Sequence, residues 1–195
     1  PRTIIKGNPE EWKEVLPVYR HYKGNTMYRD HPGHADASYR NTTGRNDIVE
    51  ARVARDMDWI YFYVKTDQII TKPTNQDHWM WLFIDIDRSR LTGWEGYDYL
   101  VNLNPPLKGT SPLAKCVNNR WEWNLTDSYS VTVKDNTMTV KVKKSSLGII
   151  GDAINFEFKW SDNMQQAGYI MDFYVNGDAA PGGRFNFVYS TKKNE

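Results

Sequence analysis

The stretch Trp79-Met80-Trp81-Leu82-Phe83-Ile84-Asp85-Ile86-Asp87 is followed by a polar turn and then Thr92-Gly93-Trp94-Glu95-Gly96-Tyr97-Asp98-Tyr99-Leu100-Val101-Asn102. It reads as two strands joined by a loop that carries acids and a tryptophan. Side chains on a strand alternate between faces. Met80, Leu82, Ile84 and Ile86 share one face, and Trp79, Trp81, Phe83, Asp85 and Asp87 share the other. Flat aromatics beside hydrogen-bonding acids suit a sugar ring, which is apolar on its faces and polar at its edge. The same pattern also fits a buried aromatic layer ending in a loop that holds a cation.

Working outward, the chain continues in short strands. Ile48–Ala54 alternates, Arg55–Asp58 is a turn, and Trp59–Thr66 alternates again. Trp121–Leu125 reads as a short strand. Tyr129–Lys134 and Thr137–Val142 flank Asp135-Asn136, which reads as a two-residue hairpin turn. Lys144–Ile149 reads as one helical turn. Ile154–Trp160, Ile170–Asn176 and Arg184–Tyr189 complete the strand set. Short strands, tight turns and little helix predict an all-β fold, a two-sheet antiparallel β-sandwich of immunoglobulin-like or jelly-roll-like type, over 48–195. Residues 1–47 read as a loop-rich N-terminal extension packed on that sandwich, one domain overall. Asn8 is the expected N-cap of a turn beginning at Pro9, with Trp12 and Val15 as its anchors. Lys23–Arg45 reads as a long loop, ordered or partly mobile.

A chain of 195 residues fits one domain with a core of its own. A net charge of +1 gives no field for nucleic acid or a membrane surface. No apolar run is long enough to span a bilayer. Cys116 is alone, so no intrachain disulfide forms. The chain starts at Pro1 without a signal peptide, as expected of a trimmed or excised piece. Aromatic residues make up 14 % of it, with Asn, Asp, Thr and Gly plentiful. That mixture favours strands with long polar loops, and a surplus of rings near loops is what a sugar-binding surface needs.

Asp85 and Asp87 end a strand, and Glu95 and Asp98 follow in the loop. Calcium takes six to eight oxygens from such groups, so Asp85 and Asp87 are the candidate ligands of a structural Ca²⁺. The spacing is not that of an EF-hand, and turn-capping is the other reading of the same acids. His31 and His34 lie in a polar segment that reads as a solvated loop rather than a transition-metal site. Gly-x-Ser-x-Gly and the phosphate-binding Gly-x-x-x-x-Gly-Lys-Ser are both absent. Asp85 with Glu157 or Asp172 is the carboxylate pair a glycosidase would use, but the expectation is a non-catalytic chain.

Glu11-Trp12, Asn46-Asp47-Ile48, Trp59-Ile60-Tyr61-Phe62-Tyr63-Val64, Leu82-Phe83-Ile84-Asp85, Asp98-Tyr99-Leu100-Val101-Asn102, Ser146-Leu147-Gly148 and Arg184-Phe185-Asn186-Phe187 follow one another in order. In this the chain resembles the family-nine carbohydrate-binding modules and the looser DOMON-like domains, over most of 46–189. The resemblance implies a sugar-binding sandwich with structural calcium. It also implies an accessory domain covalently linked to a secreted polysaccharide-degrading enzyme, in an extracellular or periplasmic setting. Polysaccharide or oligosaccharide is then the expected partner, and nucleic acid and membrane are not. By position, the family's strand asparagine is Asn102, and its strand carboxylate falls at Trp81. Its two clamping tryptophans fall near Asn75 and near Asp178–Pro181, where this chain has none. Trp79, Trp81 and Trp94 are the expected replacement platform, with Asp98 and Asn102 bonding hydroxyls and Trp121 and Trp123 as the next candidates. The alternatives are a structural sandwich with no soluble ligand and, behind it, a small polysaccharide-acting enzyme.

Overall fold

A computed structural model describes residues 5–33, 38–74, 78–106 and 109–191. In chain order the strands are β1 (Tyr19–Arg20), β2 (Arg29–Pro32), β3 (Ser38–Asn41), β4 (Ile48–Arg55), β5 (Trp59–Thr66), β6 (Trp81–Asp85) and β7 (Tyr99–Val101). They continue as β8 (Thr110–Cys116), β9 (Trp123–Lys134), β10 (Thr137–Lys143), β11 (Asn155–Asp162), β12 (Asp178–Ala180) and β13 (Phe187–Ser190). One antiparallel sheet runs β1-β4-β5-β10-β9-β8-β7-β6-β11-β12, and β13 also pairs with β11; β2 and β3 form a separate hairpin. The fold is all-β and sandwich-like, and its two layers come from one sheet that curls over itself. Phe62 on β5 meets Phe156 and Phe158 on β11 across the core, with ring centroids 5.6 and 5.9 Å apart. At the open side, Tyr19 of β1 meets Phe158 and Phe187 at 5.1 and 5.0 Å, and its hydroxyl donates to the Val188 carbonyl at 2.7 Å. The two ends of the sheet therefore meet at a seam.

Strand alternation explains the layering. Ile60, Phe62 and Val64 enter the main core, while Tyr61 and Tyr63 point outward. The extension covers that outer face: Trp12 stacks on Tyr63 at 5.0 Å, and Val15 is buried beside it. The turn at Pro9–Trp12 has the expected Asn8 cap, completed by Glu11 into a capping box. The β9–β10 connection is the expected two-residue hairpin, with Lys134 opposite Thr137 and Asp135 at φ +53°.

Three local expectations are corrected. Ile170–Asn176 is not a strand but contains one helical turn, α1 (Asp172–Val175). Buried Asp172 accepts from the Gln165 and Gln166 amides at 2.7 and 3.1 Å, which folds the segment back on itself. Within Lys23–Arg45, β2 and β3 pair as a hairpin where a loop was expected. The opening strand starts at Trp81, not Trp79, because Met80 adopts φ +44°. That left-handed residue breaks the alternation, so Trp79 joins Met80 in the main core instead of sharing a face with Trp81.

Candidate functional site

The acidic loop between β6 and β7 gathers three carboxylates. Oxygens of Asp85, Asp87 and Asp98 all lie within 4.8 Å of one another, the one such group among the described residues. Asp85 is buried, Asp98 half-buried and Asp87 exposed. The Ser89 amide donates to both Asp85 (3.2 Å) and Asp87 (2.9 Å), and the Ile86 amide donates to Asp98 (2.9 Å). Gly96, at φ +102°, passes so close that a Cβ there would sit 3.3 Å from Asp85 Oδ2. Burial pushes the Asp85 carboxyl up to about 7, and the charges of Asp98 and Asp87 push the same way. Burial also raises Asp98. Hard oxygen donors that repel one another fit a hard divalent cation. Glu95 stands apart from the group and pairs with Arg184 at 3.0 Å.

The expected aromatic platform is not a surface. Trp79, Trp81 and Trp94 are only 1, 2 and 6 % exposed. Trp79 donates its indole N–H to the Thr71 carbonyl at 2.7 Å inside the main core. Trp81 and Trp94 belong to a second core on the outer face of β6, with Phe83, Tyr97, Met164 and Phe173. The segment carrying α1 covers that face, which is why rings placed beside loops by sequence are packed away. Trp121 and Trp123 are partly buried against the same cluster. Asn102, at φ +64°, is fully buried. It donates to the Met80 carbonyl at 2.7 Å and accepts from the Tyr129 hydroxyl at 2.9 Å, so it ties β7 to the irregular entry of β6. Asp98 belongs to the carboxylate group, not to a ring-lined surface. Asn75 and His34 lie outside the described residues.

A different surface presents exposed rings beside polar side chains. At the seam, Arg20, His21 and Tyr22 follow one another along and just beyond β1. Opposite them, Pro181, Gly182 and Phe185 connect β12 to β13, and the two segments enclose a groove of about 700 Å³. Tyr22 and Phe185 are 84 and 76 % exposed. Beneath them the groove is tied by buried polar groups. Lys159 donates to the Pro181 carbonyl. Asp178 accepts from the Ile48 amide and from Asn25 Nδ2, both at 2.7 Å. Burial drives Lys159 down to about 7 and Asp178 up to about 7. Burial also lowers His21, whose Nδ1 lies 3.2 Å from the Ile48 carbonyl. No sequence pattern joins Tyr22 to Phe185, because they come from opposite ends of the chain. The Pro181-Gly182-Gly183 turn beside an apolar ring was the one local signal.

Comparison of the chain with protein-family models, with curated proteins and with solved structures finds no match.

Proposed function

We propose that this chain is a non-catalytic carbohydrate-binding module, an accessory domain of a secreted polysaccharide-degrading enzyme. In this reading it binds its sugar in the seam groove. The observation that carries it is the pair of exposed rings, Tyr22 and Phe185, bordering a groove that also offers the Arg20 guanidinium and the His21 imidazole. A ring that stacks on a planar ligand contributes about 1–3 kcal/mol, by analogy with bases on aromatics. Two such contacts and a few hydrogen bonds give a dissociation constant between about 1 mM and about 1 µM. Linkage to an enzyme raises the effective concentration, so weak binding is sufficient. Calorimetric titration with neutral oligosaccharides should show binding in this range. Tyr22→Ala and Phe185→Ala should each weaken it roughly 5- to 150-fold, with unchanged thermal midpoints. Binding that survives both substitutions intact removes the groove from the reading. The burial of Trp79, Trp81 and Trp94 favours a second reading, a structural sandwich with no soluble ligand. Its expected result is no binding across a broad glycan panel.

In the same reading, Asp85, Asp87 and Asp98 hold a structural Ca²⁺. Without a cation, Asp85 sits near 7 in the folded chain against an ordinary value of 3.8. Its folded value is raised, so the stability it contributes is present below about pH 4 and is lost as pH rises through about 7. Calcium replaces the missing proton, and its stabilising effect should therefore grow between about pH 5 and pH 8. At a hundredfold excess over the dissociation constant the gain is about 2.7 kcal/mol, or about 5–10 °C in thermal midpoint for a chain of this size. Asp85→Asn should abolish the calcium response. A midpoint indifferent to calcium and chelator at pH 8 would count against the site.

A further inference from the structure

A second pocket opens at the far end of β4 and β5 from the seam groove, where the Asp56 amide donates to the Trp59 carbonyl at 3.1 Å. It encloses about 530 Å³ between half-buried Trp59, the end of β10 with Lys143 and Lys144, Ser145, and the turn at Gly151-Asp152. Cations crowd the tryptophan. Lys141 Nζ lies 4.1 Å from the centre of its ring and Lys143 Nζ 5.8 Å. Lys144 is the unusual member, with its side chain only 7 % exposed. Its ammonium pairs with Asp152 Oδ1 at 3.7 Å, an ion pair longer than a hydrogen bond. That same oxygen already accepts from Arg55 at 3.0 Å. The neighbouring Asp56 is likewise engaged, by the Asp58 and Trp59 amides and by the Tyr61 hydroxyl at 2.6 Å. Asp58 stands exposed at the rim. Lys144 and Arg55 thus share one Asp152 oxygen, and an incoming carboxylate would give the Lys144 ammonium a closer, hydrogen-bonded partner.

We propose that the pocket formed by Trp59, Lys143, Lys144 and Ser145 is a second ligand site that takes a uronate, a sugar unit bearing a carboxylate. The carboxylate sits between the Lys143 and Lys144 ammonium groups, with the Ser145 hydroxyl as a further donor, and the sugar ring lies beside Trp59. The assignment rests on the sugar-binding reading and extends it to acidic polysaccharide. Hydrogen bonds to charged groups are the stronger kind, so the carboxylate dominates affinity.

The test titrates the whole chain by calorimetry with tri-galacturonate, with a neutral galactose trimer, and with sodium acetate. Tri-galacturonate should bind, more weakly at high salt. Lys143→Ala, at an exposed position, should weaken it about tenfold or more, Lys143→Arg should restore most of it, and neutral-sugar binding should be unchanged in both. Tyr22→Ala should leave tri-galacturonate binding intact. Uronate binding that ignores Lys143→Ala, or that is lost with Tyr22→Ala, overturns the second site. Acetate binding as tight as the trimer's overturns the sugar assignment. Neutral binding without uronate binding overturns this proposal and leaves the seam groove standing; no binding of tri-galacturonate overturns it whatever the neutral trimer does.

Discussion

Trp81→Ala is expected to destabilise the fold by about 3–5 kcal/mol, the range for truncating a large buried aromatic. Its ring stacks on His78 at 4.3 Å and meets Phe83 and Trp121 edge-on or tilted, at 5.7 and 5.4 Å. Typical domains hold only about 5–15 kcal/mol in all, so this one change takes a large share. Trp81→Phe should cost much less. The indole N–H of Trp81 is buried without a hydrogen-bond partner among the described residues, and phenylalanine removes that unmet donor with the lost volume. Urea unfolding of the two variants checks the order. An unchanged midpoint for Trp81→Ala, together with lost sugar binding, would return Trp81 to the role of a platform.

Asp162→Ala should be comparably severe, at about 3–5 kcal/mol, because it removes a buried carboxylate on which a guanidinium, a side-chain amide and a backbone amide converge. Asp162 is fully buried and accepts from Arg45 Nε (2.8 Å) and Nη2 (3.1 Å), from Asn46 Nδ2 (3.0 Å) and from the Met80 amide (2.9 Å). Burial pushes its carboxyl up, and the Arg45 guanidinium opposes that push. The carboxylate thus joins the extension, the entry of β6 and the end of β11. Arg45→Ala combined with Asp162→Ala should cost less than the two single changes added together, since each single change already removes the same ion pair. Chemical denaturation of the four proteins measures the coupling, and additive costs would argue against a shared network.

Where side-chain period alone sets structure, the fold was legible. β5 runs from Trp59 to Thr66 as its alternation indicates, and the Asp135-Asn136 turn follows from local chemistry. Legibility ended where one backbone angle decided the outcome. Met80 at φ +44° moves Trp79 to another core, and nothing in Trp-Met-Trp announces it. It also ended where a polar group organised its own segment, as Asp172 does for α1. For the candidate site, the acids of the β6–β7 loop were readable because they lie close in sequence, and Asp98 joins Asp85 and Asp87 through the pairing of adjacent strands. The seam groove was not readable. Its walls meet only because the sheet curls until its first and last strands touch.

That closure bears on how the chain behaves among its own copies. β1 pairs Tyr19 and Arg20 with Ala51 and Glu50, and Arg52 Nη1 holds the Trp12, Lys13 and Val15 carbonyls at 2.7, 2.9 and 2.9 Å. Severing the chain just before Ile48 would strip this cover. The eight-residue β4 would then become a bare edge beside the uncovered rings of Tyr61 and Tyr63. A long edge with apolar flanks is a template for pairing between molecules. The loop-rich extension thus closes an edge that a boundary drawn at the first long strand would leave open to pairing between molecules.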